Sequence, residues 1–272
     1  MAKRSNGLTE AKIKRWIKEG RGKGRGLEYR PWLNVRDIAS KGRSHRVFGH
    51  KSRRTHHLFS DLELAVFLFL DWSHKAIEIR EQFPLQQEVT LELAKEAGIR
   101  HPQVSGIFQV MSSDFLVNSS DSVLPKFVLQ AKYAKDLSDP RTVEKLELER
   151  RYWEYKEVPW YIITEREISK TAFQNIEWLY PNQQRTHELS ELTEQLKFYS
   201  HHFSKAPSTT IINISKALDV KYDHEAGESL AEIRDLLASR LLSFDVTIPF
   251  RKLTPADIHF VDDISVLEAI NV

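Results

Sequence analysis

Two short apolar runs decide the fold of this chain: Met111-Ser-Ser-Asp-Phe-Leu-Val117 and Phe127-Val-Leu-Gln-Ala-Lys132. Each has the length and composition of a β-strand, and the cluster of Asn, Ser and Asp between them is typical of a turn. We therefore predict a β-hairpin. Because side chains two residues apart share one face of a strand, Gln130 and Lys132 point the same way, and Asp114 stands opposite them on the neighbouring strand.

A carboxylate, an amide oxygen and a lysine on one sheet face suit metal-assisted hydrolysis of a phosphodiester. Oxygen atoms bind Mg²⁺, and the ammonium group steadies an attacking water or the phosphate. The spacing resembles the core of PD-(D/E)xK nucleases, although Gln130 stands where an acidic residue is usual and no proline precedes Asp114. Taken alone, these residues also fit a strand pair with polar ends at the rim of a sheet.

The composition is that of an ordinary globular protein, with 272 residues, 41% of them hydrophobic and 29% charged. This length suits one large domain or two modest ones. No apolar run is long enough to span a bilayer, and the first residues lack the apolar core of a signal peptide, so we expect a cytoplasmic protein without a membrane partner. The absence of cysteine excludes disulfides, thiolate catalysis and cysteine-zinc sites.

The charge is distributed unevenly. Residues 1–57 contain 17 Lys and Arg against 4 acidic residues, a net charge of +13, whereas the rest of the chain carries −11. A basic front on an acidic body favours a polyanion such as DNA as a partner. The alternative is a solvated arm, but such arms seldom contain residues like Trp16 and Trp32. Within this region, Gly20–Gly26 alternates glycine with Lys or Arg and predicts a flexible loop that suits phosphate.

Two basic segments on either side of a turn that contains Gly49 predict a hairpin along a phosphate backbone. The DNA-contact residues that we predict in this hairpin are Arg43, Arg46, Lys51, Arg53 and Arg54. Four histidines lie nearby, but no carboxylate or cysteine supports a zinc site among them.

The segment Ser60-Asp-Leu-Glu63 precedes the apolar run Leu64–Leu70 and has the pattern of a capping box at the start of a helix. In that role the Glu63 carboxylate turns back to the Ser60 amide. The same carboxylate is a candidate metal ligand, and spacing alone favours the helix cap. Farther along, Glu149 lies on a predicted charged helix, where a surface ion pair explains it better than a place near the site.

Before residue 168, the predicted order of helix, strand, strand, strand, helix and strand gives a mixed sheet flanked by helices, which is an α/β fold. After it, short helices lead to a strand over 241–248, an arrangement typical of a winged-helix domain. The helix that would read DNA has an acidic face, which repels phosphate, so we expect this domain to dock a protein instead. Its acidic residues are Glu225, Glu228, Glu232 and Asp235. We place the two domains at 1–168 and 169–272.

Six segments carry a resemblance that is more specific than the three site residues. They are Ile17-Lys-Glu-Gly-Arg-Gly22, Arg43-Ser-His-Arg46, His56-His-Leu-Phe-Ser-Asp-Leu-Glu-Leu-Ala-Val-Phe-Leu68, Ile79-Arg-Glu-Gln-Phe-Pro-Leu85, Met111-Ser-Ser-Asp-Phe-Leu-Val117 and Glu144-Lys-Leu-Glu-Leu-Glu-Arg-Arg-Tyr-Trp153. Together they closely resemble the TnsA family, the endonuclease subunits of heteromeric cut-and-paste transposases. The resemblance covers nearly the full length and is strongest over residues 8–180.

The resemblance implies a restriction-endonuclease-like N-terminal domain and a winged-helix-like C-terminal domain. It also implies Mg²⁺-dependent nicking of double-stranded DNA at the 5′ ends of a transposon, in the bacterial cytoplasm, with Mn²⁺ able to replace Mg²⁺. The partners it implies are a TnsB-like transposase subunit, which cuts the 3′ ends, and a TnsC-like ATP-dependent regulator, which engages the C-terminal region.

The catalytic positions of the family fall on Glu63, Asp114 and Lys132, and the metal-binding positions on Glu63, Asp114, Gln130 and Ala131. A glutamine at the usual acidic place is thus the family's own pattern. Two other functions remain open from the sequence. One is a nuclease of restriction or repair type that acts alone, and the other is a non-catalytic adaptor between DNA and protein.

Overall fold

A computed structural model of the chain describes residues 7–37, 42–184 and 189–261. The chain forms two compact units, which adjoin in sequence between Ile168 and Ser169. The helices are α1 Glu10–Lys18, α2 Asp61–Trp72, α3 Gln87–Glu96, α4 Pro140–Tyr155, α5 Lys170–Leu179, α6 Leu189–Lys205, α7 Ile211–Tyr222 and α8 Glu228–Ala238. The strands are β1 His45–Gly49, β2 Arg54–Leu58, β3 Ala76–Pro84, β4 Gln103–Val104, β5 Ile107–Phe108, β6 Ser112–Ser119, β7 Lys126–Ala131, β8 Trp160–Ile163, β9 Leu242–Ser243 and β10 His259–Phe260.

The first unit is built on a four-stranded sheet with the order β3-β6-β7-β8. Strands β6 and β7 form the predicted hairpin, with Phe115 opposite Leu129, and β8 is parallel to β7. The predicted mixed sheet is therefore confirmed. Helix α4 covers the sheet, because Tyr152 and Trp153 pack on Leu116 and other buried strand residues. The sheet and this helix together fix the position of Asp114, which lies in β6 one residue before the segment that pairs with β7.

The basic N-terminal region folds onto the first unit. Trp16 and Trp32 are fully or almost fully buried and meet edge to face, with ring centroids 5.2 Å apart. The Arg21 guanidinium lies 3.8 Å from the Trp16 ring centroid and also donates to the Trp32 carbonyl. The described residues of this region, 7–37 and 42–57, are therefore part of the packed domain and do not form a solvated arm.

The glycine-rich loop after α1 is held by backbone hydrogen bonds, in contrast to the flexible loop that the sequence predicted. The Gly22 amide donates to the Arg30 carbonyl, and the Arg30 amide donates back to the Lys23 carbonyl. Gly24 has a φ of +90°, and a Cβ atom there would meet the Glu28 carbonyl oxygen at 2.3 Å. Glycine is required at this turn because other residues would be both strained and in collision.

The second unit consists of α5 to α8 with a short strand pair. The strand predicted over 241–248 is wrong: only Leu242–Ser243 is extended, and it pairs with β10. Later carbonyls, those of Val246 and Ile248, instead accept hydrogen bonds from the Asn175 side chain. The amide of Asn175 satisfies these groups in place of a sheet, so the loop is anchored to α5.

The predicted acidic face of the second unit is smaller than its sequence suggests. Glu232 accepts a hydrogen bond from the Tyr199 hydroxyl, and the buried Asp235 accepts one from Asn182. Glu225 and Glu228 remain exposed. In the described part of the chain, no helix is long and apolar enough to cross a bilayer.

One buried ionic group joins the β1–β2 hairpin to the central sheet. The Glu81 carboxylate on β3 is fully buried and binds both ends of the Arg54 guanidinium, at 2.7 and 2.6 Å. His56 Nδ1 lies 2.8 Å from the same carboxylate, and His56 Nε2 lies 2.6 Å from the Ser52 hydroxyl. Ser52, His56 and Glu81 are all buried, so this line of side chains is structural and does not present a nucleophile to substrate.

The Glu81 network makes the first unit sensitive to acid. Burial raises the pKa of Glu81, but His56 and Arg54 outweigh burial and hold that pKa well below its usual range. A carboxyl group whose folded pKa lies below its unfolded value of about 4.3 stabilises the fold above that pH. This stabilisation is lost as the pH falls through the folded pKa.

We predict that Glu81→Gln lowers the free energy of unfolding at pH 7 by about 3–5 kcal/mol, because it leaves the Arg54 charge buried without its partner. The difference from wild type narrows below about pH 4. Urea unfolding followed by tryptophan fluorescence measures it, since Trp178 alone of the six tryptophans belongs to the second unit. The exposed Glu88→Gln is the matched control, and equal stability of Glu81→Gln and wild type at pH 7 would refute the prediction.

Candidate active site

Asp114 is held at the end of the β6–β7 hairpin by its own strand neighbours. Its Oδ2 atom accepts a hydrogen bond from the Ala131 amide at 2.9 Å, and its backbone amide donates to Gln130 Oε1 at 3.0 Å. The side chain is only 8% exposed. The hairpin therefore fixes both the backbone and one oxygen of Asp114, while its other oxygen, Oδ1, faces Gln82.

Glu63 is placed by the start of α2. Ser60 caps the helix, since its hydroxyl oxygen accepts from the Glu63 amide at 3.0 Å. The Glu63 carboxylate turns back as predicted, but it accepts from the Phe59 amide at 2.9 Å and from the Ser60 hydroxyl at 3.2 Å. The amide it reaches is thus one residue earlier than the predicted Ser60 amide. The helix cap and a place in the site are compatible, because the carboxylate also borders the cavity described next.

Glu63, Asp114, Ala131 and Lys132 line one cavity of about 530 Å³. Lys132 follows β7 directly, and its amide donates to the Ile163 carbonyl at 3.0 Å, which continues the pairing with β8. Within the described residues its ammonium group makes no ion pair with a carboxylate. The structure therefore brings together four of the five predicted site residues around a common space, with the lysine side chain available to a substrate.

Gln130 is the fifth predicted residue, and it does not line this cavity. Its side chain is 6% exposed, and its amide oxygen faces the Asp114 backbone. An amide oxygen has two lone pairs, so this hydrogen bond leaves one for another donor or a cation. The contact that the structure shows for Gln130 is the one that holds the Asp114 backbone.

The two carboxyl groups of the cavity are in an environment that disfavours their charge. Burial, and secondarily the nearby Asp114, raises the pKa of Glu63 to about 8. Burial also raises the pKa of Asp114, although the Lys132 charge opposes this shift. Two buried carboxylates that repel each other form a place where a cation would favour the ionised form of both.

The donor atoms of the site fit a divalent cation with a preference for oxygen. The candidate ligands are the Glu63 and Asp114 carboxylates, the Ala131 carbonyl and the Gln130 side-chain oxygen, and hard cations such as Mg²⁺ bind such groups. Among the described residues, no three His, Asp or Glu side chains cluster as a metal site. The charge would thus come from two carboxylates, and the remaining ligands would be neutral oxygens or water.

Two further residues near the site were not predicted in these roles. Gln82 lines the cavity. It was missed because the alternation typical of a strand covers only Ala76–Arg80 in the sequence, whereas β3 continues to Pro84. Glu149 is 3% exposed and accepts from the Ser113 hydroxyl at 2.6 Å and the Trp160 indole at 2.9 Å. The prediction of a surface ion pair for Glu149 is wrong, because α4 turns this residue towards the sheet.

The predicted basic hairpin is present as β1 and β2, joined by a turn over residues 50–53. Arg46 and Arg53 are exposed, Arg53 at the turn with a φ of +55°. Arg43, just before β1, has a side chain that is 72% exposed, and it pairs with Asp61 at 2.9 Å. These three positions leave guanidinium groups at the surface, as a DNA contact requires.

The other two predicted DNA contacts differ. Lys51 is half-buried, and its backbone amide donates to Asp71. Arg54 is 8% exposed and is bound to Glu81 inside the domain, so its predicted contact with DNA is wrong. A basic sequence pattern does not distinguish a surface arginine from one that is needed to neutralise a buried carboxylate.

Comparison with known proteins agrees with this geometry. Residues 73–165 match the family model described as TnsA-like endonuclease N terminal, and residues 167–246 match the one described as TnsA endonuclease C terminal. The chain is 48% identical over 259 residues to the Transposon Tn7 transposition protein TnsA of Escherichia coli. This alignment covers 95% of this chain and 94% of the relative. The chain belongs to the TnsA endonuclease family. It is accordingly an endonuclease that cleaves DNA. The first family model lies within the first unit, and the second lies almost entirely within the second unit.

From the two carboxylates of the cavity we predict that this TnsA endonuclease binds a divalent metal ion. We expect calorimetric titration of Mn²⁺ into the full chain to show specific binding, and we expect Asp114→Ala to abolish it because half of the ligand charge is removed. Asp121→Ala, in the exposed turn between β6 and β7, is the matched control and retains binding. Equal binding by wild type and Asp114→Ala would place the ion elsewhere.

Proposed function

We propose that this protein is a Mg²⁺-dependent endonuclease that nicks the 5′ ends of a transposon during cut-and-paste transposition. The observation that carries the proposal is the convergence of Glu63, Asp114 and Lys132 on one cavity in a chain of the TnsA family. A carboxylate pair suits metal-assisted phosphodiester hydrolysis when it stands beside a lysine whose ammonium makes no ion pair with any described carboxylate. In this proposal, Mg²⁺ is the natural ion, and Mn²⁺ can take its place.

The residues have separate roles in the proposed reaction. Glu63 and Asp114 would hold the ion, with the Ala131 carbonyl and the Gln130 oxygen as neutral ligands, and the bound ion would supply positive charge at the scissile phosphate. Lys132 orients the attacking water and stabilises the negative charge that develops on the phosphate. Hydrolysis joins the water oxygen to phosphorus, breaks the bond to the leaving oxygen and leaves a proton on that oxygen. No serine or histidine nucleophile is required.

The two units have different proposed roles. Residues 1–168 form a restriction-endonuclease-like catalytic domain, which the mixed sheet and the position of the site on β6 and β7 support. Residues 169–272 form a winged-helix-like domain for protein docking. The order of the four helices α5 to α8, followed by a small antiparallel strand pair, supports this role. The proposed partners are double-stranded DNA at the transposon ends, a TnsB-like subunit that cuts the 3′ ends and a TnsC-like ATP-dependent regulator.

We propose that the exposed arginines of the β1–β2 hairpin contact the phosphates of the DNA backbone. The side chains of Arg46 and Arg53 reach solvent, whereas Arg54 anchors the hairpin from inside. Contacts of this kind are independent of sequence and are weakened by salt. Recognition of the end sequence would then fall to the partner subunit.

We expect Lys132→Ala to reduce nicking by the assembled transposase at least about 100-fold, because one positioned charge at a developing oxyanion contributes about that much. Binding of Mn²⁺ should remain close to wild type, since lysine is not a ligand. Lys75→Ala is the matched control: its ammonium pairs with Asp121 at the surface. Nicking that is unchanged in Lys132→Ala would remove the lysine from the mechanism.

The same assay separates the alternatives. Nicking by the isolated chain, without partner proteins, would indicate a nuclease that acts alone. Unchanged transposition with Asp114→Ala would indicate a non-catalytic adaptor.

We expect Arg46→Ala and Arg53→Ala each to weaken binding to duplex DNA of any sequence. The slope of log affinity against log salt should fall by about 1 for each lost phosphate contact. Fluorescence anisotropy with a labelled duplex at several salt concentrations measures both effects, again with Lys75→Ala as the control. Wild-type binding that does not change with salt would exclude the hairpin as a phosphate contact.

A further inference from the structure

Gln82 contacts both carboxylates of the cavity. Its Nε2 atom lies 3.4 Å from Glu63 Oε2 and 3.3 Å from Asp114 Oδ1, and the residue is 4% exposed. Ionised carboxylates only accept hydrogen bonds, so a side-chain amide that bridges them does so through its N–H groups. Gln82 therefore places two donors between charges that would otherwise repel each other.

The orientation of this amide is set by Ser112. The Ser112 hydroxyl donates to Gln82 Oε1 at 3.1 Å. With its oxygen bound in this way, the amide turns its nitrogen towards Glu63 and Asp114. Three elements thus meet at one side chain: Gln82 comes from β3, Ser112 and Asp114 from β6, and Glu63 from α2.

The backbone at Gln82 is strained. Its φ is +47°, although the flanking residues pair regularly with β6, Glu81 with Phe115 and Phe83 with Ser113. A non-glycine residue adopts this backbone conformation only where the surrounding structure imposes it. The Trp32 amide donates to the Gln82 carbonyl at 3.1 Å and is part of those surroundings. Strain of this kind concentrates at functional sites, where it aims a particular side chain.

We infer that Gln82 is a positioning residue that holds the Glu63 and Asp114 carboxylates together at the ion site, with Ser112 setting the orientation of its amide. This inference rests on the proposed function, because it concerns the same carboxylates. Without the bridge, the two carboxylates move apart or share a proton. Binding of a divalent ion must then reverse that rearrangement, which costs free energy, so the affinity of the protein for the ion falls.

The test is calorimetric titration of Mn²⁺ into the full chain with single and double variants. Gln82→Met keeps the length of the side chain but removes its donors, and we expect it to weaken Mn²⁺ binding by about 10-fold or more, the usual effect of losing a group that orients metal ligands. Ser112→Ala should cause a smaller loss. The double variant should bind no more weakly than Gln82→Met, because Ser112 acts through Gln82.

A matched control is available in Gln87, whose amide donates to the Phe108 carbonyl at 2.8 Å and which does not line the cavity. Gln87→Met should bind Mn²⁺ as wild type does. Melting temperatures report whether each variant is folded. If Gln82→Met does not fold, Ser112→Ala carries the test, since it removes a single hydroxyl group and is still expected to weaken Mn²⁺ binding.

Each outcome decides the inference. Wild-type Mn²⁺ affinity in folded Gln82→Met, or in Ser112→Ala where that variant carries the test, overturns it. Additive losses in the double variant overturn the role of Ser112. Wild type that binds no Mn²⁺, or that binds it equally well after Asp114→Ala, overturns the proposed ion site and this inference with it. Weaker Mn²⁺ binding in Gln82→Met, Ser112→Ala and Asp114→Ala, with wild-type binding in Gln87→Met and no additivity in the double variant, supports both.

Discussion

The interaction of the buried Glu81 carboxylate with Arg54 and His56 is the one on which the arrangement of the first unit depends most. Desolvation of this carboxylate is unfavourable by several kcal/mol unless it is fully paired, and Arg54 and His56 supply that pairing from β2. The ion pair therefore fixes the basic β1–β2 hairpin to β3. Glu81 is also the neighbour of Gln82, so the element proposed to hold the DNA backbone and the strand that borders the carboxylates are joined through adjacent residues.

The site itself is assembled from three elements that are each fixed for local reasons. Asp114 is held by the amide of Ala131 on the next strand, and Glu63 is held by the first turn of α2. Lys132 is placed by the parallel pairing of its amide with β8. All three contacts are between groups of the chain itself, so folding contributes to the positions of these candidate site residues. A preformed site lowers the cost of ordering these groups when a ligand binds.

The parts of the structure that follow from local sequence were predictable, and those that depend on distant pairing were not. Short sequence patterns around Asp114 and Glu63 predict the β6–β7 hairpin and the cap of α2. The burial of Arg54 was not predictable, because it depends on a carboxylate 27 residues away. Gln82 was missed because the alternating pattern ends at Arg80 although β3 continues to Pro84. Residues 244–248 have a strand's composition but pair with no strand in the described part of the chain.

A glutamine at position 130 suits the charge balance of this cavity. Burial is the main cause that raises the pKa of Glu63 to about 8, and the repulsion between Glu63 and Asp114 adds to it. Lys132 offsets only part of their charge. A third carboxylate at position 130 could also accept the hydrogen bond from the Asp114 amide, but its charge would increase that repulsion. A neutral amide provides the acceptor without the added charge. A cation that binds both carboxylates would relieve their repulsion, which supports the proposed dependence of this endonuclease on a divalent metal ion.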